Sequence, residues 1–409
     1  MPSDNKKKPE LLIPAGSLDV LKTAVLYGAD AVYIGGSYSL RAKAKNFTDD
    51  EMREGIAFAH EHGVKVYVTV NIYPFDDELE EVAAHLRALS EIGPDAVLIA
   101  DPGVFAIARR ECPNIPIHIS TQANTTNSES FIYWYDQGVR RVVCARELSL
   151  ERIGRIRKAI PKDMEIECFI HGAMCISYSG RCLLSAYMTD RSANHGECTH
   201  PCRWEYALME KTREGEYMPI EEDDRGTYVM NSKDLCMIDH IPEMVEAGID
   251  SLKIEGRMKT ALYIATVARA YRKAIDLWFD DPDEYESKRD YFLQMVSECT
   301  HRDFTTGFYF GPAGEESIIY GENTYVKEYI YLGTVEDVDD RGRAVILQKN
   351  KFSVGDTIEI MRPNGDNIKT EVLSIETVDG EPRESANHAS EMLAVELSIK
   401  PETADILRV

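Results

Sequence analysis

The cysteines are the residues of this sequence with the clearest capacity for chemistry. Five of the nine cysteines lie within residues 165–206, in a stretch rich in Gly, Ser and Asn. Four of these five, Cys175, Cys182, Cys198 and Cys202, follow the spacing C-x6-C-x15-C-x3-C. Thiolates are the preferred donors for zinc and iron–sulfur clusters, and irregular backbone lets four side chains converge on one point. The pattern therefore predicts a metal centre.

Disulfides and zinc are the alternatives to an iron–sulfur cluster at these positions. The cysteine total is odd and the N-terminal apolar stretch is too short for a secretory signal, which disfavours disulfides. Structural zinc usually takes two tight pairs of cysteines, and only Cys198 and Cys202 form one, because Cys175 and Cys182 stand too far apart. The spacing favours a cluster and leaves zinc open.

A second group of residues is polar or charged and recurs where short apolar runs end. Cations are over-represented in it, although the chain carries 70 Asp and Glu against 46 Lys and Arg. A ring of such cations would concentrate an anionic ligand through carboxylate or phosphate pairing. The candidate binding residues are Arg41, Lys43, Asn71, Gln122, Arg146, Arg181 and Arg257, and the candidate general bases are His171, Asp101 and Glu255. Taken singly, each Arg has an alternative interpretation as a solvated or strand-bridging residue. The alternative for His171 is a half-buried histidine whose hydrogen bonds are satisfied within the protein.

These residues need a scaffold that brings strand ends together. Short β-branched runs alternate with amphipathic helical segments, and the predicted strands are residues 10–15, 30–35, 65–71, 95–101, 117–122, 140–147, 165–172 and 251–256. Near-continuous apolar strands separated by helices imply a parallel sheet, and eight such units predict an α/β fold of the (βα)8 TIM-type barrel. A doubly wound sheet is the alternative, but no G-x-G-x-x-G follows the first strand. In a barrel, the polar residues would meet at the mouth, where the strands end.

The chain divides into three predicted parts. The TIM-type barrel covers residues 1–280 and carries a Cys-rich insertion at 173–250, between strands seven and eight. Within the insertion, the segment from Ser232 predicts the seventh helix, with Ser232 as its cap. Residues 281–328 form a connector, and the alternating pattern of residues 329–409 predicts a small all-β barrel.

The overall charge and hydropathy limit the kinds of partner that this protein can bind. A formal net charge of −24 disfavours indiscriminate binding to nucleic acid or anionic membrane, so a polyanionic partner would need a local basic patch. No apolar segment reaches the length of a membrane span. We therefore expect a cytoplasmic, reducing location without membrane contact, which suits free thiolates.

Several runs of the sequence resemble the collagenase-like peptidases of unassigned catalytic type, peptidase family U32. These runs are ELLIPAGSLDVLKTAVLYGADAVYIGG, SLRAKAKNFT, HISTQANTTN, FIHGAMCISYSGRCLLSAYM, NHGECTHPCRWEY, MNSKDLC and SLKIEGRMKT. The resemblance extends over nearly the whole chain, and HGAMCISYSGRC together with KIEGR is highly specific.

The resemblance implies a TIM-type barrel with a [4Fe-4S] cluster, whose ligands fall by motif on Cys175, Cys182, Cys198 and Cys202. The family name comes from collagen-degrading activity, whereas related members support hydroxylation of a tRNA wobble uridine, an rRNA cytidine or the ubiquinone ring. The sequence is most similar to the members that act in prephenate-dependent 5-hydroxylation of the wobble uridine. The implied partners are tRNA, prephenate as a small anionic carboxylate, and a second protein of the same family.

Three functions follow as hypotheses. The leading one is an iron–sulfur enzyme of tRNA modification, because a cluster beside a cationic mouth fits chemistry on an anionic small molecule. A peptidase, and hence a hydrolase, is the alternative that the family name suggests, but the sequence has no H-E-x-x-H, no G-x-S-x-G and no Cys/His pair in a protease context. The third is a metal-stabilised adaptor, with zinc in place of iron, that delivers RNA or a partner enzyme.

Overall fold

The computed structural model of the protein describes residues 7–39, 46–174, 182, 184–189, 191, 198–201, 207–208, 218–219, 231–311, 318–319 and 328–409. The strands of its first part are β1 (Glu10–Pro14), β2 (Ala31–Gly35), β3 (Lys65–Val70), β4 (Ala96–Ile99), β5 (Ile117–Ile119), β6 (Arg141–Val143), β7 (Glu165–Ala173), β8 (Ala207–Leu208), β9 (Met218–Pro219), β10 (Asn231–Ser232), β11 (Asp234–Cys236), β12 (Ser251–Ile254), β13 (Phe304–Thr305) and β14 (Ile318–Ile319).

Eight of these strands close into a parallel barrel. Strands β1 to β7 pair in sequence order, and β12 pairs in parallel with both β7 and β1. Nearly every residue of these strands is buried, because helices cover the outside and side chains fill the inside. The predicted TIM-type barrel is confirmed.

Helices lie between the barrel strands and after the last of them. They are α1 (Leu18–Leu26), α2 (Asp49–Glu61), α3 (Leu79–Ile92), α4 (Pro102–Glu111), α5 (Ser128–Asp136), α6 (Leu150–Ala159), α7 (Leu184–Thr189), α8 (Ile241–Glu246), α9 (Ala261–Asp280), α10 (Pro282–Ser287) and α11 (Arg289–Ser297). Most of the longer ones begin at a side-chain cap, as at Ser17, Thr48 and Thr260, whose oxygens accept backbone N–H groups of the first turn. None of the described helices is both long enough and apolar enough to cross a membrane.

The chain between β7 and β12 departs from the predicted helix. Ser232 lies in β10 and does not cap a helix, and the helix that packs before β12 begins only at Ile241. Residues 234–236 instead form β11, which pairs antiparallel with the last residues of β7 and parallel with β13. The reason is that β7 runs past the end of the barrel, and its exposed edge takes a partner strand.

A second, smaller barrel follows. Its strands are β15 (Tyr331–Val338), β16 (Ala344–Leu347), β17 (Phe352–Ser353), β18 (Thr357–Met361), β19 (Ile368–Thr377), β20 (Pro382–Arg383), β21 (Ser385–Ala386), β22 (Met392–Leu397) and β23 (Ile406–Arg408). Six of them pair in the closed order β18-β23-β15-β16-β22-β19-β18 around an apolar core. The predicted small all-β barrel is therefore present.

The small barrel packs against helices of the large one. The Tyr27 hydroxyl lies 2.7 and 2.9 Å from the carbonyl oxygens of Met361 and Ala404. The fully buried guanidinium of Arg408 pairs with Glu298, at the end of α11, at 2.6 Å, and with Glu359 of its own barrel at 2.5 Å. Buried, hydrogen-bonded contacts of this kind hold the two barrels together.

Candidate active site at the barrel mouth

Arg146 and Glu255, two of the residues predicted to meet at the mouth, form an ion pair there. Arg146 follows β6 and Glu255 follows β12, and their Nη2 and Oε2 atoms are 2.8 Å apart. The guanidinium also donates to the carbonyl oxygen of Ala173 at 3.0 Å and lies 4.0 Å from the ring centre of Phe169. These contacts fix the plane of the guanidinium at the open end of the barrel.

Arg257 lies across the end of β2. Its side chain is buried, and Nη1 donates to the hydroxyl oxygens of Ser39 at 2.7 Å and Thr69 at 3.3 Å. A Cβ atom at Gly35 would lie only 1.9 Å from Nη1. Glycine at position 35 is thus required for the guanidinium to reach this place. Among the described residues, Arg146 and Arg257 thus bring two guanidinium groups to the mouth, and such groups can pair with an anionic ligand.

Asn71 and Gln122 also meet at the mouth. Asn71 follows β3, Gln122 follows β5, and both side chains are buried. The amide nitrogen of Asn71 donates to Oε1 of Gln122 at 3.2 Å and to the Ser120 hydroxyl at 3.2 Å. The structure thus brings together five predicted residues, Arg146, Glu255, Arg257, Asn71 and Gln122, at one end of the barrel.

Asp101 has a structural role after the end of β4. It is the N-cap of α4, where its Oδ1 accepts the backbone N–H of Val104 at 2.9 Å. Capping of this kind stabilises a helix by about 1 kcal/mol. A role for Asp101 as a general base stays a prediction. The capping contact is by itself a sufficient reason for an aspartate at this position.

The carbonyl oxygen of His171 accepts the backbone N–H of Glu255 at 2.8 Å, but the His171 ring packs among aromatic side chains. Its ring packs against Tyr263 and Tyr271 of α9 and against Phe304 of β13, with centroids 5.5 to 6.1 Å apart. Burial lowers the pKa of His171 from 6.5 to about 3, and the nearby Lys259 charge adds to this effect. The imidazole is therefore neutral at physiological pH, and its role as a catalytic base stays a prediction.

The buried His171 predicts a pH-dependent stability. Because its folded pKa lies below the unfolded value of 6.5, the unfolded chain binds the extra proton, and stability is lost as pH falls from 6.5 towards 3. At pH 5.5 the loss from this residue is about 1.4 kcal/mol. We expect His171→Asn to remove that part of the pH dependence in urea unfolding at pH 7.5 and 5.5. His388→Asn, which removes an exposed imidazole, is the control, and an equal change in both variants would contradict the assignment.

A buried ionic network, which sequence reasoning did not single out, lies inside the barrel below the mouth. Arg141 pairs with Glu10 at 2.5 Å, Glu165 at 2.7 Å and Glu167 at 3.5 Å, and Lys253 pairs with Glu167 at 2.7 Å. Burial alone would raise the pKa of Glu10, but the charge and hydrogen bonds of Arg141 lower it below 4.5. Lys253 also lies 4.4 Å from the ring centre of Tyr33 and 5.4 Å from that of Phe169. The network supports the aromatic rings beneath the mouth.

Two of the four predicted metal ligands belong to the described residues. Cys182 and Cys198 are half-buried, and neither forms a disulfide. The segments next to them are joined, since the Ser185 hydroxyl lies 3.1 Å from both the backbone nitrogen and the hydroxyl of Thr199. The backbone N–H of His200 donates to the Cys198 sulfur at 3.4 Å. Such bonds stabilise a thiolate ligand, so the donors present fit a metal centre.

The remaining predicted residues lie outside the described part of the chain. These are Cys175 and Cys202 among the metal ligands, and Arg41, Lys43 and Arg181 among the binding residues. Within the residues that the structure does describe, no group of three or more His, Cys, Asp or Glu side chains is arranged to hold a metal ion. Since two of the four cysteines are not included, the predicted centre stays a prediction.

The fold and the mouth define a TIM-barrel protein with a charged mouth and a small β-barrel after it. The family model of peptidase family U32 matches residues 16–319, and the model of the C-terminal domain of that family matches residues 327–408. The chain belongs to peptidase family U32, and the resemblance inferred from its motifs is confirmed.

Curated relatives match over most of the chain. One is 41% identical over 98% of this chain and 95% of its own length, the tRNA hydroxylation protein P1 of Bacillus subtilis. Another is 39% identical over 91% of this chain and 90% of its own length, the tRNA hydroxylation protein P of Escherichia coli. The 23S rRNA 5-hydroxycytidine C2501 synthase of E. coli is 35% identical over 73% of this chain and 45% of its own length.

Proposed function

We propose that this protein is an RNA-modification enzyme that hydroxylates the wobble uridine of tRNA at C5. The observation that carries the proposal is the match, over nearly the full length of both chains, to proteins named for tRNA hydroxylation. The family's peptidase name suggests a hydrolase as the alternative. Incubation of the protein with unstructured collagen peptides would test that alternative, and sustained cleavage abolished by a mouth variant would favour it.

A [4Fe-4S] cluster held by Cys175, Cys182, Cys198 and Cys202 is part of the proposal. Support comes from the junction of the segments beside Cys182 and Cys198, and from the N–H donated to the Cys198 sulfur. When bound, an iron–sulfur cluster supplies electron transfer, which an oxidative modification of a base requires. Zinc at the same four thiolates would instead give the adaptor alternative, and metal analysis after anaerobic purification separates the two.

The two mouth arginines are proposed to bind prephenate, a dicarboxylate. Guanidiniums pair with carboxylates through parallel N–H···O bonds, and Arg146 and Arg257 are each held in place by neighbouring side chains. Replacement of the C5 hydrogen by a hydroxyl group is a two-electron oxidation, in which an oxidant from outside the protein would supply the oxygen atom and take up the two electrons, and a base near C5 would accept the proton. Glu255 is a carboxylate at the mouth, and its pair with Arg146 fixes its position there.

Nucleoside mass spectrometry of tRNA tests the proposal. In cells that lack the gene, we expect hydroxyuridine derivatives to be absent, and the wild-type protein should restore them. Arg257→Met should restore less than about one tenth of the wild-type level, because a charge-assisted bond to the carboxylate is lost. Arg155→Met, at an exposed arginine of α6, is the matched control and should restore the full level. An unchanged nucleoside profile after gene deletion would remove the proposed function.

A further inference from the structure

The Gln122 side chain is held in one orientation at the mouth. Its Oε1 accepts two hydrogen bonds, from the Ser120 hydroxyl and from the Asn71 amide at 3.2 Å. Only 7% of Gln122 is exposed, and its neighbours Asn71 and Ser120 are similarly buried. Because both donors lie on the oxygen side of the amide, Nε2 and its two N–H groups must point away from them.

The backbone around Gln122 is also fixed. The Tyr73 hydroxyl donates to the carbonyl oxygen of Gln122 at 2.5 Å, and the Thr121 hydroxyl donates to the carbonyl oxygen of Cys144 at 2.9 Å. The short helical turn Thr121–Ala123 ends at Asn124 in the left-handed conformation, with φ of 55°. The amide is therefore a preorganised group, whose position does not depend on a ligand.

Within the part of the chain that the structure describes, no hydrogen bond uses Nε2 of Gln122, whereas Oε1 has two partners. The Nε2 atom is not completely enclosed, so its N–H groups stay open to an acceptor from outside the protein. A ligand in the mouth that carries a carbonyl oxygen would supply one. The mouth thus contains a rigid donor pair as well as the two arginines.

We propose that Gln122 is the residue by which the enzyme selects uracil, through donation from Nε2 to O4 of the target base. This inference rests on the proposed function. In uracil, C4 carries a carbonyl oxygen and is bonded to C5, the carbon that is hydroxylated. In cytosine, C4 carries an amino group, which would face the N–H groups of Gln122 donor to donor. A fixed donor at this point therefore accepts uracil and rejects cytosine.

The test exchanges the donor for an acceptor. In Gln122→Glu, one carboxylate oxygen keeps the bonds from Asn71 and Ser120, and the other faces the base as an acceptor suited to an amino group. Each variant is expressed in cells that lack the gene, together with a tRNA bearing uridine at the wobble position or a copy bearing cytidine there. Mass spectrometry then gives the yields of hydroxyuridine and hydroxycytidine. The preference for uridine should fall at least about ten-fold, with hydroxycytidine formed on the second tRNA.

Two further variants keep the test decisive. Gln122→Met has neither donor nor acceptor, so the preference for uridine should also fall about ten-fold in it, even if Gln122→Glu fails to fold. Gln294→Glu makes the same change on the exposed face of α11 and should keep the wild-type preference. Thermal unfolding confirms that each variant is folded.

The outcomes separate this inference from the function on which it rests. Wild-type preference in folded Gln122→Glu or Gln122→Met overturns the role of Gln122 and leaves the proposed function standing. Loss of both products in both folded variants also overturns it, because Gln122 would then act in something other than the choice of base. Failure of the wild-type protein to form hydroxyuridine removes the proposed function and this inference with it.

Discussion

We expect Cys198→Ser to lose the proposed iron–sulfur cluster and, with it, all tRNA hydroxylation. The reason is that a cluster with four thiolate ligands loses both a soft donor and the His200 N–H···S bond when Cys198 is replaced. Protein purified without oxygen should show iron and visible absorbance in the wild type, and neither in the variant. Cells that express the variant should contain no hydroxyuridine derivatives.

Cys112→Ser is the matched control for this prediction. Cys112 is buried, and its thiol donates to the carbonyl oxygen of Ala108 at 3.2 Å, a bond that a serine hydroxyl can replace. This variant should keep its iron and its activity. Full iron occupancy in Cys198→Ser would contradict the assigned ligand set, and stoichiometric zinc in the wild type would contradict the cluster itself.

The largest effect on stability is expected from Arg141→Met. Arg141 is almost completely buried and neutralises Glu10, Glu165 and Glu167 inside the barrel. Removal of one partner leaves buried carboxylates uncompensated, which costs about 3–5 kcal/mol. Urea unfolding at pH 7 should show this loss, whereas Arg155→Met, at an exposed ion pair, should change stability by about 0.5 kcal/mol or less.

The pH dependence of the same variant gives a second check. Arg141 lowers the folded pKa of Glu10, so their pairing stabilises the protein above pH 4.5 and is lost as pH falls through the lowered folded pKa. The difference in the free energy of unfolding between the wild type and Arg141→Met should therefore decrease as pH falls below 4.5. A difference that stays constant down to pH 3 would contradict this account.

The barrel and its mouth could be predicted because their sequence signals are local. Each strand is a short apolar run between turn signals, and the barrel then requires that residues after the strands share one face. That rule placed Arg146, Glu255, Asn71 and Gln122 at one end of the barrel, although they lie far apart in the sequence, but it did not predict which of them pair.

His171 and strand β11 could not be predicted from such signals. In β12, Lys253 pairs with Phe169 of β7, but the next residue, Ile254, pairs with His171. The register between the two strands therefore shifts by one residue. A shift by one residue turns the following side chains to the opposite face, so His171 packs against α9. Strand β11 is three residues long, too short for any periodicity, and pairs only because β7 extends beyond the barrel. The Arg141 network was missed because a sequence does not show which charged residues of a strand point inward.

The closure of the barrel by β12 has a consequence for its synthesis on the ribosome. Glu10 and Ser251, which hydrogen-bond across this closure, are 241 residues apart, and Cys175 to Cys202 lie between them. During translation, all four thiols therefore emerge before the strand that completes the cylinder. The edges of β1 and β7 therefore stay unpaired until β12 has been synthesised, which makes the unfinished cylinder prone to aggregation.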